Sequence, residues 1–252
     1  MIASIVLAGG SSRRMGKDVD KLFLQLGDAP LIAHTLARFQ NCKAIKRVFL
    51  VVRGDGRTQS DYQRVVRDFH ISKVQYIVAG GPERRDSVWN GLRALPVGVE
   101  VVVIHDGARP CVPDMLIEQT IESARKFGSG VAACKVADTI KEVDAEGKVT
   151  ATVPREKLWA AQTPQTFKFD LIMRAYREAI AQGVPITDDA AALEFIGEPV
   201  HIVESVTTNI KVTTPMDLEI AKVLLPAKVN VSHSGVPPGT FYFGSRIERQ
   251  YR

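Results

Sequence analysis

Short apolar runs rich in β-branched residues alternate along this chain with stretches whose apolar positions recur at helical spacing. Residues 2–7, 47–52, 74–78, 101–105 and 130–135 read as strands, and several of them are apolar on both faces. Between them, residues 30–40, 62–69, 84–95 and 113–127 read as helices. A strand without a polar face must be covered on both sides, so the pattern predicts an α/β fold with a mostly parallel sheet flanked by helices. Ligands of such sheets sit beyond the carboxyl ends of the strands. The segments LAGG (7–10), AGG (79–81) and HDGARP (105–110) all fall where a strand has just ended.

One segment departs from the alternation. DTIKEVDAEGKVTATV, residues 138–153, reads as two short strands around turn residues 144–147, and its polar composition predicts an arm that projects from the domain. Helices are expected at 170–181, 188–196 and 215–225, with a strand at 200–204. Thr187 is the expected N-cap of the second of these helices, with Asp188 and Asp189 in its first turn, or else these residues lie near a site. The expected domain is 1–226. Residues 227–252 hold Pro237–Pro238 and the cluster Phe241–Tyr242–Phe243 without periodicity, and read as a disordered or surface-draped extension.

A length of 252 residues, 45% of them hydrophobic, suffices for a full core. No apolar run is long enough for a membrane span, and the opening MIASIVLAGG lacks the charged region of a signal peptide, so a cytoplasmic location is expected. Cys42, Cys111 and Cys134 are far apart with no CxxC spacing, and read as reduced, incidental thiols. The net charge of +5 would suit a nucleic-acid partner, but the segment after Pro226 carries +3 of it. The remaining +2 is ordinary, so no nucleic-acid or membrane partner is expected, and the arginines must be judged by position.

The loop LAGGSSRRMG (7–16) matches neither common nucleotide fingerprint. Five residues instead of four separate Gly10 from Gly16, and Asp18 follows Lys17 where a P-loop has its hydroxyl. The G-x-G-x-x-G spacing is missing as well. Even so, Arg13, Arg14, Lys17 and Lys21 follow a glycine pair that lets backbone N–H groups approach an anion. Asp106 ends the strand at 101–105, where a carboxylate suits Mg2+ shared with phosphate oxygens, and Arg109 suits a second anion. A triphosphate–metal site beside a separate anion site is the layout of nucleotidyl transfer.

Seven blocks then occur in order: LAGGSSRRMG with Lys21, GGPERRDSV (80–88), HDGARP, ADTIK (137–141), LWAAQTPQTF (158–167), ITDDAAALE (186–194) and NIKVTTPMDL (209–218). In this register the chain resembles the 2-C-methyl-D-erythritol 4-phosphate cytidylyltransferase family over about residues 1–225. The resemblance implies a Rossmann-like nucleotidyltransferase fold, a homodimer joined through the arm, and transfer of CMP from CTP to 2-C-methyl-D-erythritol 4-phosphate with release of pyrophosphate. It implies that Arg14 and Lys21 stabilise charge at the α-phosphorus and that Asp106 binds the magnesium ion. Arg109, Thr139, Arg155 and Lys211 would bind or orient the acceptor, with Arg155 serving the partner's site, and Arg155 and Lys211 would be catalytic in that sense. Leu7, Ala8, Gly9, Gly10, Gly81 and Ser87 would contact CTP. No general base is needed, because the acceptor phosphate is already ionised, so His105 reads as structural. Asp20 and Leu22 flank Lys21 where the family often has Pro and Gln, which predicts a less restrained loop and a carboxylate that partly neutralises the lysine. Ribitol 5-phosphate cytidylyltransferases share the opening loop and the DTI block, but LWAAQTPQ and NIKVTTPMDL favour the methylerythritol enzyme. A non-catalytic nucleotide-binding protein would have lost Arg14, Lys21 or Asp106, and all three are present.

Overall fold

The computed structural model describes residues 1–10, 20–54 and 56–231. Strand β1 (Ile2–Ala8) is followed by the short strands β2 (Gln25–Leu26) and β3 (Ala29–Pro30), then α1 (Leu31–Asn41), β4 (Ile45–Val52) and α2 (Gly56–Asp68). Next come β5 (Val74–Ala79), α3 (Arg84–Arg93), β6 (Val101–Asp106), α4 (Asp114–Phe127) and β7 (Ser129–Lys135). The arm is β8 (Ile140–Val143) and β9 (Val149–Val153), and β10 (Trp159–Lys168), α5 (Phe169–Ala181), α6 (Asp189–Phe195), β11 (Ile202–Glu204) and α7 (Pro215–Leu224) complete the order.

Seven strands form one sheet in the order β11-β7-β10-β6-β1-β4-β5. All its neighbours pair in parallel except at β10, which runs antiparallel to both β6 and β7. The sheet is buried on both faces, as continuous apolar strands require. Val6, Leu50 and Val103 face α1, α2 and α4 in one core, while Ile5, Val51 and Ile104 face α3, α5 and α6 in the other. Successive residues of a strand point to opposite faces. The last two residues of β6 therefore diverge: His105 packs on Phe39 of α1, and Asp106 turns toward Arg84 of α3.

Three expectations change. Residues 159–168 form a central strand that the hydrophobic pattern does not announce, because Gln162, Pro164 and Gln165 interrupt it. The pairing with β7 shifts register between Ala161 and Gln165, and Pro164 lies in that irregularity, where no ladder donor is needed. Second, α6 is capped by Asp188 and not by Thr187: the Asp188 carboxylate accepts from the Ala191 amide at 3.0 Å. Third, α2 begins at Gly56, six residues before the predicted start at 62. The arm matches its prediction, with Val143 and Val149 more than half exposed. All three cysteines are free thiols.

The first residues after Pro226 are draped on the domain. The Ala227 carbonyl accepts from the Asp28 amide at 3.2 Å, Val229 N–H donates to the Asp28 carboxylate at 3.2 Å, and the Asn230 carbonyl accepts from Asn41 at 2.8 Å. Gly27, at φ +66°, turns the chain beneath this segment, and a Cβ there would stand 2.3 Å from the Ala227 oxygen. Residues 232–252 lie outside the described residues.

Candidate active site

A cleft of about 590 Å³ opens at the carboxyl ends of β1, β4, β5 and β6, where a doubly wound sheet places its ligands. Leu7, Gly9 and Gly10 form one lip, and Gly80, Gly81 and the first turn of α3 form another; Lys21, Asp106 and Lys211 stand in the wall. Among the described residues, nothing lies within 4 Å of where a Gly10 Cβ would be. Gly81 is fixed by packing: a Cβ would lie 2.3 Å from that of Asp86. The Ser87 hydroxyl accepts from Gly81 N–H at 3.1 Å, and Glu83 and Asp86 form a capping box that starts α3 at the cleft edge. Ala8 does not line the cleft; it is buried, and its carbonyl accepts from Tyr62 at 3.0 Å.

Lys21 sits in a single 3-10 turn, Lys21–Phe23. Most of the loop expected to be less restrained, residues 11–19, lies outside the described residues; from Asp20 onward the chain is held by specific contacts. The Asp20 carboxylate accepts from Leu22 N–H at 3.1 Å, and Leu22 is buried in the core. Burial raises the Asp20 pKa above its ordinary value, against the opposing pull of the Leu22 amide, Arg53 and Lys21. The Lys21 ammonium donates to the Val212 carbonyl at 2.8 Å, which ties the turn to the segment holding Lys211.

Asp106 lies among cations. Lys211 Nζ is 2.7 Å from Oδ2, Arg109 Nε is 3.8 Å from the same oxygen, and Arg84 Nε is 3.7 Å from Oδ1. Burial by itself would push this carboxyl up, but Lys211, Arg84 and Arg109 together hold it well below the usual carboxylate range. It is therefore ionised at any physiological pH. Beside it, His105 is fully buried, with Nε2 3.1 Å from the Arg109 carbonyl and Nδ1 3.1 Å from the Thr163 hydroxyl. A carbonyl only accepts, so Nε2 carries the proton and Nδ1 accepts from Thr163, whose oxygen in turn accepts from Asp106 N–H at 3.0 Å. Burial lowers the His105 pKa to about 4, so the ring is a neutral brace beneath Asp106 and Arg109.

Of the acceptor residues, Arg109 and Lys211 meet at Asp106. Arg109 donates to the Asn209 carbonyl at 2.8 Å, and its buried Nε has no hydrogen-bond partner among the described residues. Thr139 and Arg155 do not line the cleft; both are exposed beside the arm, where Arg155 donates to the Ala137 carbonyl. Arg13, Arg14 and Lys17 lie outside the described residues. The cleft also holds residues that the sequence reading did not single out, among them the cations Arg53 and Arg84. A signal existed, since Arg84 and Arg85 occupy the first turn of α3, where the helix dipole disfavours cations and another purpose is implied.

Known proteins resemble this chain in sequence and fold. The family model described as IspD, 2-C-methyl-D-erythritol 4-phosphate cytidylyltransferase, matches residues 2–227. A protein of that name from Dehalococcoides mccartyi is 43% identical over 224 residues, covering 89% of this chain and 96% of its own. Another, from Alkaliphilus oremlandii, is 41% identical over 224 residues, covering 89% and 94%. The crystal structure of 4-diphosphocytidyl-2C-methyl-D-erythritol synthase from Anaerococcus prevotii superposes with a TM-score of 0.77 at 29% identity, covering 88% of this chain and 96% of that one. That of 2-C-methyl-D-erythritol 4-phosphate cytidylyltransferase from Thermus thermophilus gives 0.71 at 29% identity, covering 89% and 98%. With its strand-end cleft, its seven motif blocks and these relatives, the chain belongs to the 2-C-methyl-D-erythritol 4-phosphate cytidylyltransferase family.

Proposed function

We propose that the cleft binds CTP and that the cations around Asp106 and Lys211 take the phosphate of the acceptor. Family membership carries the reaction: the enzyme is a nucleotidyltransferase that moves CMP from CTP to 2-C-methyl-D-erythritol 4-phosphate, in the non-mevalonate route to isoprenoids. An acceptor phosphate oxygen attacks the α-phosphorus while the bond to pyrophosphate breaks. The products are 4-diphosphocytidyl-2-C-methyl-D-erythritol and pyrophosphate. Negative charge grows around the α-phosphorus, so catalysis rests on fixed cations and needs no proton acceptor. Arg14 and Lys21 carry that role. Leu7, Gly9, Gly10, Gly81 and Ser87 hold the nucleotide end, and Arg109, Thr139, Arg155 and Lys211 orient the acceptor. The observation that carries this reading is Asp106, held ionised between Lys211, Arg109 and Arg84 at the carboxyl end of β6.

Mg2+ fits this site. Among the described residues no group of three or more His, Cys, Asp or Glu could hold a metal alone. One ionised carboxylate beside a triphosphate suits an ion that keeps phosphate oxygens and waters in its shell, and Asp106 is the residue that would hold it. When bound, the ion neutralises charge on the triphosphate. Residues 1–226 form the catalytic unit of a cytoplasmic homodimer in this reading, and 227–252 are an extension. The exposed Arg155 and Thr139, away from their own chain's cleft, support a role for the arm in the site of a second subunit.

Pyrophosphate release from CTP and Mg2+, with 2-C-methyl-D-erythritol 4-phosphate and ribitol 5-phosphate offered separately, tests the reading. Release is expected with the first acceptor, and kcat in Lys21→Ala is expected to fall ~100- to 1,000-fold with unfolding unchanged. Release with ribitol 5-phosphate alone would overturn the acceptor, and an active Lys21→Ala would overturn the lysine's role.

A further inference from the structure

Arg84, half-buried in the cleft wall, is clamped from behind by a carboxylate that does not line the cleft. Both terminal nitrogens of the guanidinium donate to Asp189, at 2.9 Å to Oδ1 and 2.8 Å to Oδ2. Asp189 is 0% exposed, and the Tyr176 hydroxyl, equally buried, donates to its Oδ1 at 2.6 Å. Three elements meet here: α3 brings Arg84, α5 brings Tyr176 and α6 brings Asp189. Gln165 of β10 fixes α6 by bonding the Asp188 carboxylate at 2.9 Å and accepting from Ala190 N–H at 3.0 Å. A buried charge pair of this kind is a poor source of stability, since apolar residues of similar volume pack as well. What it supplies is geometry: a bidentate carboxylate fixes the plane and reach of an arginine fork.

The consequence falls on Asp106. Its Oδ2 takes Lys211 at 2.7 Å, while among the described residues its Oδ1 faces Arg84 Nε at 3.7 Å, beyond hydrogen-bond length. A guanidinium released from Asp189 would pair bidentately with Asp106 and cover Oδ1. Held by Asp189, it contributes positive charge to the cleft wall without occupying that oxygen.

We propose that Asp189 is a positioning residue of the nucleotide site, which with Tyr176 holds Arg84 beside Asp106 and keeps Asp106 Oδ1 open to an incoming phosphate-bound cation. The proposal rests on the cleft's being the CTP site. Its test is a cycle of Asp189→Asn, Arg84→Ala and the double variant, with Tyr176→Phe as a milder change should Asp189→Asn fail to fold. CTP affinity is measured calorimetrically in magnesium chloride, and the KM of each substrate kinetically. Asp189→Asn is expected to weaken CTP binding and raise the CTP KM by ~10- to 100-fold, with the acceptor KM nearly unchanged. In the Arg84→Ala background the same substitution should add little to the CTP KM, because it acts through Arg84. A merely structural role would lower the active fraction and leave both KM values alone, and that outcome, like full additivity in the cycle, would overturn the proposal. Tyr176→Phe, if it is the variant used, must show the same CTP-specific rise at smaller size, or the proposal falls. Wild-type enzyme that does not bind CTP would instead overturn the reading of the cleft.

Discussion

At the scale of single residues, the site is built by pairing each charge with a partner that decides its state. Asp106 stays ionised because three cations outweigh its burial, and His105 stays neutral because burial outweighs everything near it. The second case has a measurable consequence. An unfolded histidine binds a proton near pH 6.5, whereas His105 in the native state does so only near pH 4. Its contribution is present in full above pH 6.5 and is lost as pH falls toward 4, because the unfolded state then binds the extra proton. Urea unfolding across that window should show stability falling by roughly 3 kcal/mol from this group. His105→Gln, less stable at neutral pH, should lose this part of the slope and keep the part from His34, whose pKa burial also lowers. Asp106 adds to the fall only at the acid end of this window, because its contribution begins to be lost at about pH 5. Asp20 shows the same economy of pairing: its carboxylate caps the turn that carries Lys21.

At the scale of elements, the helices that frame the site start on side-chain caps. α3 and α7 each open with a capping box, and α6 opens on the Asp188 carboxylate. In α7 the Thr214 hydroxyl accepts from Asp217 N–H while the Asp217 carboxylate accepts from Thr213 and Thr214 N–H at 2.8 Å. Thr214→Ala removes half of this box and should cost ~1 kcal/mol in urea unfolding. β10 is the element that joins both sides of the site. Its Thr163 receives the Asp106 amide, and its Gln165 holds the start of α6. No period-2 apolar pattern marks residues 159–164, because their polar side chains point at the site they brace.

At the scale of the whole molecule, the arm and the cleft of one chain do not complete each other. Arg155 lies beside the arm, and Lys21 lies in the cleft wall. In the proposed homodimer, each site takes Lys21 from its own chain and Arg155 from the second. Lys21→Ala and Arg155→Ala homodimers should then each be nearly inactive. Subunits mixed, exchanged and reassembled should recover about one quarter of wild-type activity, because half the dimers are mixed and one of their two sites is intact. No recovery, with exchange verified, would place Arg155 in its own chain's site. Within one chain, Asp106 stands at a strand end and Arg84 at a helix start, while Lys21, Arg109 and Lys211 lie in the turn and loop segments between elements.

The sequence by itself determined the period-2 and period-3.6 apolar positions, and with them an α/β sheet buried on both faces, the projecting arm, and the strand-end segments that carry Gly10, Gly81 and Asp106. Those features are local, set by side-chain alternation and turn chemistry, and so are written in neighbouring residues. Only the tertiary structure decided the antiparallel insertion of β10 between β6 and β7, the capping of α6 by Asp188, and the clamp of Asp189 on Arg84, 105 residues away. The strand insertion and the clamp depend on groups brought together from distant parts of the chain, and the Asp188 cap, itself local, is held by Gln165 of β10. Their reward is the pairing of a buried charge or amide, and pairing leaves no period in a sequence.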